Sequence, residues 1–460
     1  MYAIDNMTVK HEQAVYTLVV GLGRTGLSVV AYLHALGEQI IVADSRDIPP
    51  GLSELKQQFG DVEYHTGNFD TRLFTGAQRI VVSPGVPLSE PALLEARRKN
   101  IEITGDIDLF AHEASAPVIG ITGSNGKSTV TLMVTAMARQ SGLNAVACGN
   151  IGTPVLEALD EDVDLYVMEL SSFQLETLQR LPMKASVVLN ISADHLDRYD
   201  NLAAYALSKQ AIYDNAQVQV VNRDDALAAA INQGQAPQQG FTLEKPGAGE
   251  FGLLEESGQT CLSLGNKKLL SVDELKIRGR HNLQNALAAL ALAHAADLPL
   301  DSCVEALRAF EGLPHRTRFV ARINGVDWIN DSKATNVGAT VAALTGLPGK
   351  KVLIAGGLAK GADFAELCPV VQQHCRAVVL LGKDREHLLA AMPEGVPLEM
   401  VADMAGAVQA ASELAQPGDT VLLAPACASF DMFDSFEHRG EVYTAAVRQL
   451  ATAAEKEGGA

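Results

Sequence analysis

The residues with the most chemical promise are Thr122-Gly123-Ser124-Asn125-Gly126-Lys127-Ser128-Thr129. A short apolar run at 117–121 precedes them, and a helical pattern follows to about Gln140. Gly123 and Gly126 let successive backbone N–H groups turn toward phosphate oxygens, and the helix N-terminus adds its positive dipole end. Lys127 brings a mobile charge to the β- and γ-phosphates, and Ser128 a hydroxyl to Mg²⁺. The usual spacing, GxxxxGK[ST], would need glycine at 121, where Ile121 stands, so this is a shorter GxxGKST variant. A plain Gly/Ser/Asn turn capping a helix is the alternative, and the strand–loop–GKST–helix context argues against it. The loop is expected to bind a nucleoside triphosphate.

Two further groups end candidate strands. Glu169 closes the run 165–169, where a carboxylate would reach a metal, and Ser171 follows in the same ELSSFQ segment. Asn190-Ile191-Ser192-Ala193-Asp194-His195-Leu196-Asp197 closes 186–190, and Lys209 lies fourteen residues after His195 in a helical pattern. Mg²⁺ prefers hard oxygen ligands, so a histidine is an unusual addition and a lysine a puzzle. Taken singly, these would be a solvated carboxylate, a structural histidine and a surface lysine. Near the N-terminus, Gly21-Leu22-Gly23-Arg24-Thr25-Gly26 follows a strand pattern, and Asp44 ends the next one eighteen residues after Gly26. That spacing can seat a dinucleotide or any nucleotide diphosphate at a helix N-terminus, so NAD and a UDP-linked substrate both remain admissible.

Positioning these groups requires three α/β blocks. Strands are expected at 16–20, 39–43 and 79–82 in the first, with a helix from the glycine loop to near Leu36. The second holds 117–121, 165–169 and 186–190, and the third 351–355, 377–381 and 420–424. Strands alternating with helical patterns predict mostly parallel sheets, whose ligands bind beyond the carboxyl ends of the strands. The fold class is therefore α/β with three domains: residues 1–105 Rossmann-like, 106–312 a central P-loop ATPase-like domain, and 313–460 Rossmann-like again. Residues 233–275, rich in Gly, Pro and Gln, read as a small antiparallel meander on the central domain.

Composition excludes several classes. The chain has 460 residues, enough for two to four domains at roughly 100–200 residues each. With 36 Lys and Arg against 55 Asp and Glu, the net charge is −19 and no dense basic run appears, which argues against nucleic acid and anionic membrane as partners. The polar N-terminus lacks a signal-peptide core, and the most apolar stretch, 285–296, is too short to span a bilayer. Six cysteines form no CxxC pair, as expected of reduced thiols in a cytoplasmic protein without a zinc site.

TGSNGKST, ELSSFQLE, LNISADHLDRY, the lysine of ALSKQAIY, GRHNLQNALAA and GLPHR occur in order along the middle of the chain. With NDSKATN, GGLAK and APACASFDMF downstream, the sequence resembles the Mur ligases of peptidoglycan synthesis, which share their core with folylpolyglutamate synthetases. Within that family it looks like the branch that adds D-glutamate to UDP-N-acetylmuramoyl-L-alanine. The resemblance implies a monomeric, ATP-dependent enzyme that forms an amide through an acyl phosphate. It implies ATP contacts from Gly123 through Thr129 and from His281, Asn282, Asn285, Arg316 and Asp331. Two Mg²⁺ ions would be held by Ser128, Glu169, His195 and a Lys209 carbamylated by CO₂, with Lys127, His195 and Lys209 as the catalytic set. The UDP substrate would meet Leu22, Thr25, Asp44, Ser45, Arg46, Ser83, Gly85, Asn150, Ser171 and His195. D-Glutamate would meet Lys333, Thr335, Lys360, Ser429 and Phe436. A ligase adding another amino acid, an NAD-dependent dehydrogenase using GLGRTG, and a non-catalytic nucleotide-binding regulator are the competing readings. The dehydrogenase leaves GSNGKST and the third block without a role, and a regulator would not need the His195–Lys209 set.

Overall fold

The computed structural model describes residues 15–195, 198–232, 236–256, 258–277 and 279–458. The three sheets expected from the alternating pattern are present. The first has five parallel strands in the order Glu63–Thr66, Ile40–Asp44, Thr17–Val20, Arg79–Val82, Glu102–Thr104. Strand order reverses between Thr17–Val20 and Arg79–Val82, the switch point where such sheets take nucleotides. Thr17–Val20 and Ile40–Asp44 are buried throughout, as expected of parallel strands covered on both faces.

The second sheet has nine strands and carries the phosphate loop. Val118–Thr122 lies between Met183–Val188 and Leu165–Glu169, parallel to both, so Thr122 ends beside Val188, and Ile121 beside Glu169. The loop and two of the polar segments singled out from sequence therefore leave three adjacent strands at the same edge. The expected strand 186–190 begins earlier and stops at Val188. Leu189 N–H still donates to Thr122 O, but the Asn190 side chain turns to the phosphate loop and the sheet ends there. The expected meander is present as Phe251–Glu256, Gln259–Leu264 and Lys267–Ser271, paired antiparallel. It extends the large sheet through Gln238–Phe241, which pairs parallel with both neighbours rather than joining the antiparallel pattern.

The apolar stretch near 285–296 lies in the helix Arg280–Ala295, whose residues Ala286 to Ala293 are all fully buried. It packs with the helix Lys127–Gln140 against Ile119, Ile121, Val187 and Leu189 in one apolar cluster. Truncating a buried leucine such as Leu287 to alanine costs about 3–5 kcal/mol, so this helix anchors its sheet. The third sheet runs Arg318–Ile323, Val326–Asn330, Thr420–Leu423, Lys351–Gly356, Cys375–Leu381, Leu398–Met400, parallel except for the first pair. Contacts divide the chain into two compact units. One is Met1–Ser115 with Cys148–Glu161 and Phe173–Leu181; the other is Ala116–Ala147, Asp162–Ser172 and Pro182–Ala460.

Candidate active site

In the first unit, the GLGRTG loop opens the helix Arg24–Ala35. A Cβ on Gly26 would lie 1.8 Å from Gly21 O, so only glycine lets the helix start this close to the strand end. Ser83 Oγ donates to the same carbonyl at 2.9 Å across the switch point. Asp44 is buried, receiving Leu22 N–H at 2.6 Å and the Arg46 guanidinium at 2.8 and 2.6 Å. These bonds outweigh burial and hold its carboxyl below the usual range. Leu22, Asp44, Arg46 and Ser83 are thus tied together, with Thr25 in the first turn of the helix and Ser45 and Gly85 on the loops that follow the two strands. Asn150 also belongs to this unit, whereas Ser171 and His195 belong to the other.

In the second unit, Gly126 (φ +85°) is the N-cap of Lys127–Gln140, and a Cβ there would meet Asn285 Oδ1 at 2.4 Å. Its N-cap glycine has no side chain to cap the helix, and a helix N-terminus of this kind offers its first N–H groups to an anionic ligand. Lys127 Nζ donates to Gly123 O at 2.7 Å and Ser124 O at 2.9 Å. Burial lowers its pKa, opposed by Glu169 and Asp194. Asn190 clamps the loop backbone, its Oδ1 accepting Asn125 N–H at 2.8 Å and its Nδ2 donating to Asn125 O at 3.0 Å. Asn282 and Asn285 are buried on the first turns of the central helix. Their neighbour His281 is neutral, its pKa pushed down to about 4 by burial, and its ring lies 3.2 Å from Thr317 Oγ1.

Lys209 caps the C-terminus of Leu202–Ser208 and is 1% exposed. Its Nζ donates to Gly123 O at 3.4 Å and lies 4.5 Å from the centre of the Tyr205 ring. Burial, then the charge of Lys127, drives its pKa well below that of an ordinary lysine. Glu169 is 2% exposed at its strand end, near enough to Lys127, Arg316 and Lys333 to act on each electrostatically. His195 adopts a left-handed backbone (φ +54°) and its side chain is 44% exposed. The oxygens of Ser128 and Glu169 suit Mg²⁺, which binds one or two protein oxygens and completes its shell with phosphates and water.

The third sheet delivers its residues to the same unit. His315 and Thr317, both with left-handed backbone, flank Arg316, whose Nη2 donates to Ser128 Oγ at 2.9 Å. Asp331 follows the strand Val326–Asn330, buried, its pKa raised to about 6 by burial against the pull of Arg316. Lys333 lies 3.7 Å over the Phe436 ring, its pKa lowered to about 8 mainly by burial. The Lys360 loop is brought to Ser429 by a two-bond bridge, Leu358 N–H to Ala428 O at 2.9 Å and Ala428 N–H to Leu358 O at 3.0 Å. Ser429 is buried, and Lys360 Nζ lies 5.4 Å over the exposed Phe430 ring.

Five residues to which the sequence reading gave no role help to hold this arrangement. Asn190 and Tyr205 support the phosphate loop, Ser124 Oγ donating to Tyr205 Oη at 3.2 Å. Thr317 donates to Asp331 at 3.3 Å, Asn336 reaches Asn125, and Arg439 underpins the Ser332 and Cys427 backbones. Tyr205 stands four residues before Lys209, a helical spacing that could have pointed to it, and Asn190 and Asn336 fall inside motifs already quoted; Thr317 and Arg439 carry no local signal.

Three stretches match family descriptions: residues 15–105 "Mur ligase MurD-like, N-terminal domain", 121–293 "Mur ligase middle domain", and 315–427 "Mur ligase, glutamate ligase domain". The chain is 52% identical over 448 residues to the UDP-N-acetylmuramoylalanine–D-glutamate ligase of Nitrosococcus oceani, covering 97% of this chain and 99% of that one. It is 50% identical over 440 residues to the enzyme of the same name from Pseudomonas aeruginosa, covering 95% and 98%. Among solved structures it resembles a pseudomurein peptide ligase type C from Methanothermus fervidus, with TM-score 0.58 and 19% identity, covering 95% of this chain and 100% of that one. It is also similar to the UDP-N-acetylmuramate-alanine ligase MurC of Thermotoga maritima, with TM-score 0.58 and 18% identity, covering 94% and 99%, a likeness of fold.

Proposed function

The chain belongs to the Mur ligase family, and from that footing we propose that it joins D-glutamate to UDP-N-acetylmuramoyl-L-alanine in an ATP-dependent reaction of peptidoglycan precursor synthesis. The observation that carries this reading is the convergence at three adjacent strand ends of the phosphate loop, Glu169 and the Asp194–His195 segment, met by Arg316 and Lys333 from the third sheet. Residues 1–105 would bind the UDP end, 106–312 the triphosphate and 313–460 the amino acid.

A carboxylate does not acylate an amine. Transfer of the γ-phosphoryl group of ATP to the L-alanyl carboxylate gives an acyl phosphate and ADP. The free amine of D-glutamate then attacks the acyl carbon, and the tetrahedral adduct collapses to the amide, releasing phosphate and a proton. Phosphoryl transfer needs positioning and charge neutralisation more than covalent help. The loop N–H groups and Lys127 cradle the triphosphate, whose oxygens take the place of Gly123 O and Ser124 O as acceptors of the lysine. Asn282, Asn285, Arg316 and Asp331 bind the rest of the nucleotide. Ser128 and Glu169 would hold one Mg²⁺, and His195 with a carbamylated Lys209 a second, supplying positive charge beside the transferring phosphoryl group. Buried beside Lys127, the Lys209 amine sheds its proton readily, and the neutral amine is the nucleophile that adds to the carbon of CO₂, losing a proton as the carbamate forms. Lys333, Thr335, Lys360, Ser429 and Phe436 form the D-glutamate pocket, where two cations and two hydroxyls answer two carboxylates.

The enzyme would act in the cytoplasm, where UDP-linked precursors are made. No described helix is long and apolar enough to cross a membrane. The enzyme would act as a monomer, and the net charge of −19 speaks against nucleic acid or an anionic membrane as a partner. The test is phosphate release from MgATP and UDP-N-acetylmuramoyl-L-alanine, with bicarbonate, offering D-glutamate, L-glutamate, L-lysine and meso-diaminopimelate in parallel. Release confined to D-glutamate, with a product heavier by one glutamyl residue, is expected. Release with another amino acid would overturn the pocket assignment, and no release at all would overturn the ligase.

A further inference from the structure

Asn336 immediately follows Thr335 and begins the helix Val337–Gly346. The two ends of its carboxamide do different things. Oδ1 accepts Ala339 N–H at 2.8 Å, an ordinary helix cap. Nδ2 points the other way, donating to Asn125 Oδ1 of the phosphate loop at 3.3 Å and to Asp194 Oδ2, beside His195, at 3.2 Å. The line continues through Asn125 Nδ2 to Ser192 Oγ at 3.3 Å, and from Ser192 N–H to Ser124 Oγ at 2.9 Å. Gly338, two residues on, lets the helix start lie against this line: a Cβ there would stand 2.9 Å from Ser192 Oγ and 3.0 Å from Ser192 Cβ. No other residue described above joins the phosphate loop, the Asp194–His195 segment and the segment holding Thr335.

We propose that Asn336 is a positioning residue that couples the amino-acid pocket to the phosphate loop, its amide nitrogen keeping Asn125 and Asp194 in register with Thr335. This rests on the ligase reading for the identity of the amino acid, but not for the coupling. Because the two ends separate cap from coupling, substitutions can divide the roles. Asn336→Asp keeps a capping oxygen and loses both donors. Asn336→Ser caps equally well, adds no charge and is too short to reach across. Gly338→Ala improves helix propensity by about 1 kcal/mol while wedging Ser192 away from Asn125.

The measurements are the dissociation constant of a fluorescent ATP analogue, the KM for each substrate and the melting temperature. All three variants should melt within about 2 °C of wild type, the cap being kept. Nucleotide affinity should weaken about tenfold, the worth of one or two bonds to a charged or loop-fixing group. The KM for D-glutamate should rise with it, while that for UDP-N-acetylmuramoyl-L-alanine stays within about twofold. Wild-type nucleotide affinity in both Asn336 variants, or losses that merely follow a falling melting temperature, would overturn the coupling. A wild-type enzyme that releases no phosphate with any amino acid would condemn the ligase reading instead, and the nucleotide titration would still decide the role of Asn336.

Discussion

At the scale of single residues, Lys209 shows how environment overrides type. A lysine in contact with Gly123 O and the Tyr205 ring, 1% exposed and close to Lys127, is a poor cation and a good amine. Depressed basicity raises the share of the neutral amine, and the proposed carbamylation would convert it to an anion that the neighbouring cations favour. Activity should therefore fall when CO₂ is stripped from the buffer and return with bicarbonate. Lys209→Arg keeps a cation and cannot form the carbamate, so kcat should drop at least about 10²-fold, with folding intact by circular dichroism. A variant that keeps wild-type turnover would remove Lys209 from the mechanism.

Two elements carry polar groups whose burial sets their behaviour. Arg439 lies on the C-terminal helix Phe436–Gly458, 2% exposed, its pKa lowered to about 10 by burial. It donates to Ser332 Oγ at 3.0 Å, Ser332 O at 2.8 Å and Cys427 O at 3.1 Å, binding the Asp331–Lys333 turn to the Cys427–Ser429 loop. Arg439→Met removes a buried charge but leaves two carbonyls without their donor. The net loss should be about 2–3 kcal/mol, read as a lower urea midpoint, and the KM for D-glutamate should rise because Ser429 is no longer held. In the first unit, Asp106 opens the helix Asp106–Glu113, and burial raises its pKa to about 6 despite a bond from Gln174. Between its ordinary value near 4 and about 6, the folded state binds more protons than the unfolded one. Stability should therefore fall as pH rises through that window, by at most about 3 kcal/mol. Asp106→Asn cannot titrate, so it should flatten the melting temperature between pH 4.5 and 6.5.

For the whole molecule, the consequence of two compact units is two unfolding events. Each has its own buried cluster, one around Leu18, Val20, Phe74 and Ile80, the other around the two central helices and the sheets beside them. Separate cores make separate transitions the expectation in calorimetry. The proposed UDP contacts Leu22, Thr25, Asp44, Ser45, Arg46, Ser83 and Gly85 all belong to the first unit, and the proposed ATP contacts to the second. UDP alone should therefore raise one transition and MgATP the other, each by about 2.7 kcal/mol at a hundredfold excess over its Kd. One transition moved equally by both ligands would contradict the assignment.

The local text of the chain determined the strand–loop–helix around Lys127, the alternating α/β pattern and the polar residues that end each strand. All of these follow from turn chemistry and periodicity within about ten residues, and motif order then singled out the family. Tertiary structure alone decided which strand ends are neighbours, because parallel pairing between Val118–Thr122, Leu165–Glu169 and Met183–Val188 joins segments far apart in the chain. It also decided that Lys209 is buried rather than a surface lysine, that Asn336 reaches Asn125 across 211 positions, and that Arg439 is buried between the Ser332 turn and Cys427 O. Such contacts depend on packing between sheets, and packing leaves no period in the sequence. The chemistry was legible because it sits on short motifs; its alignment was not, because that is a property of distances between them.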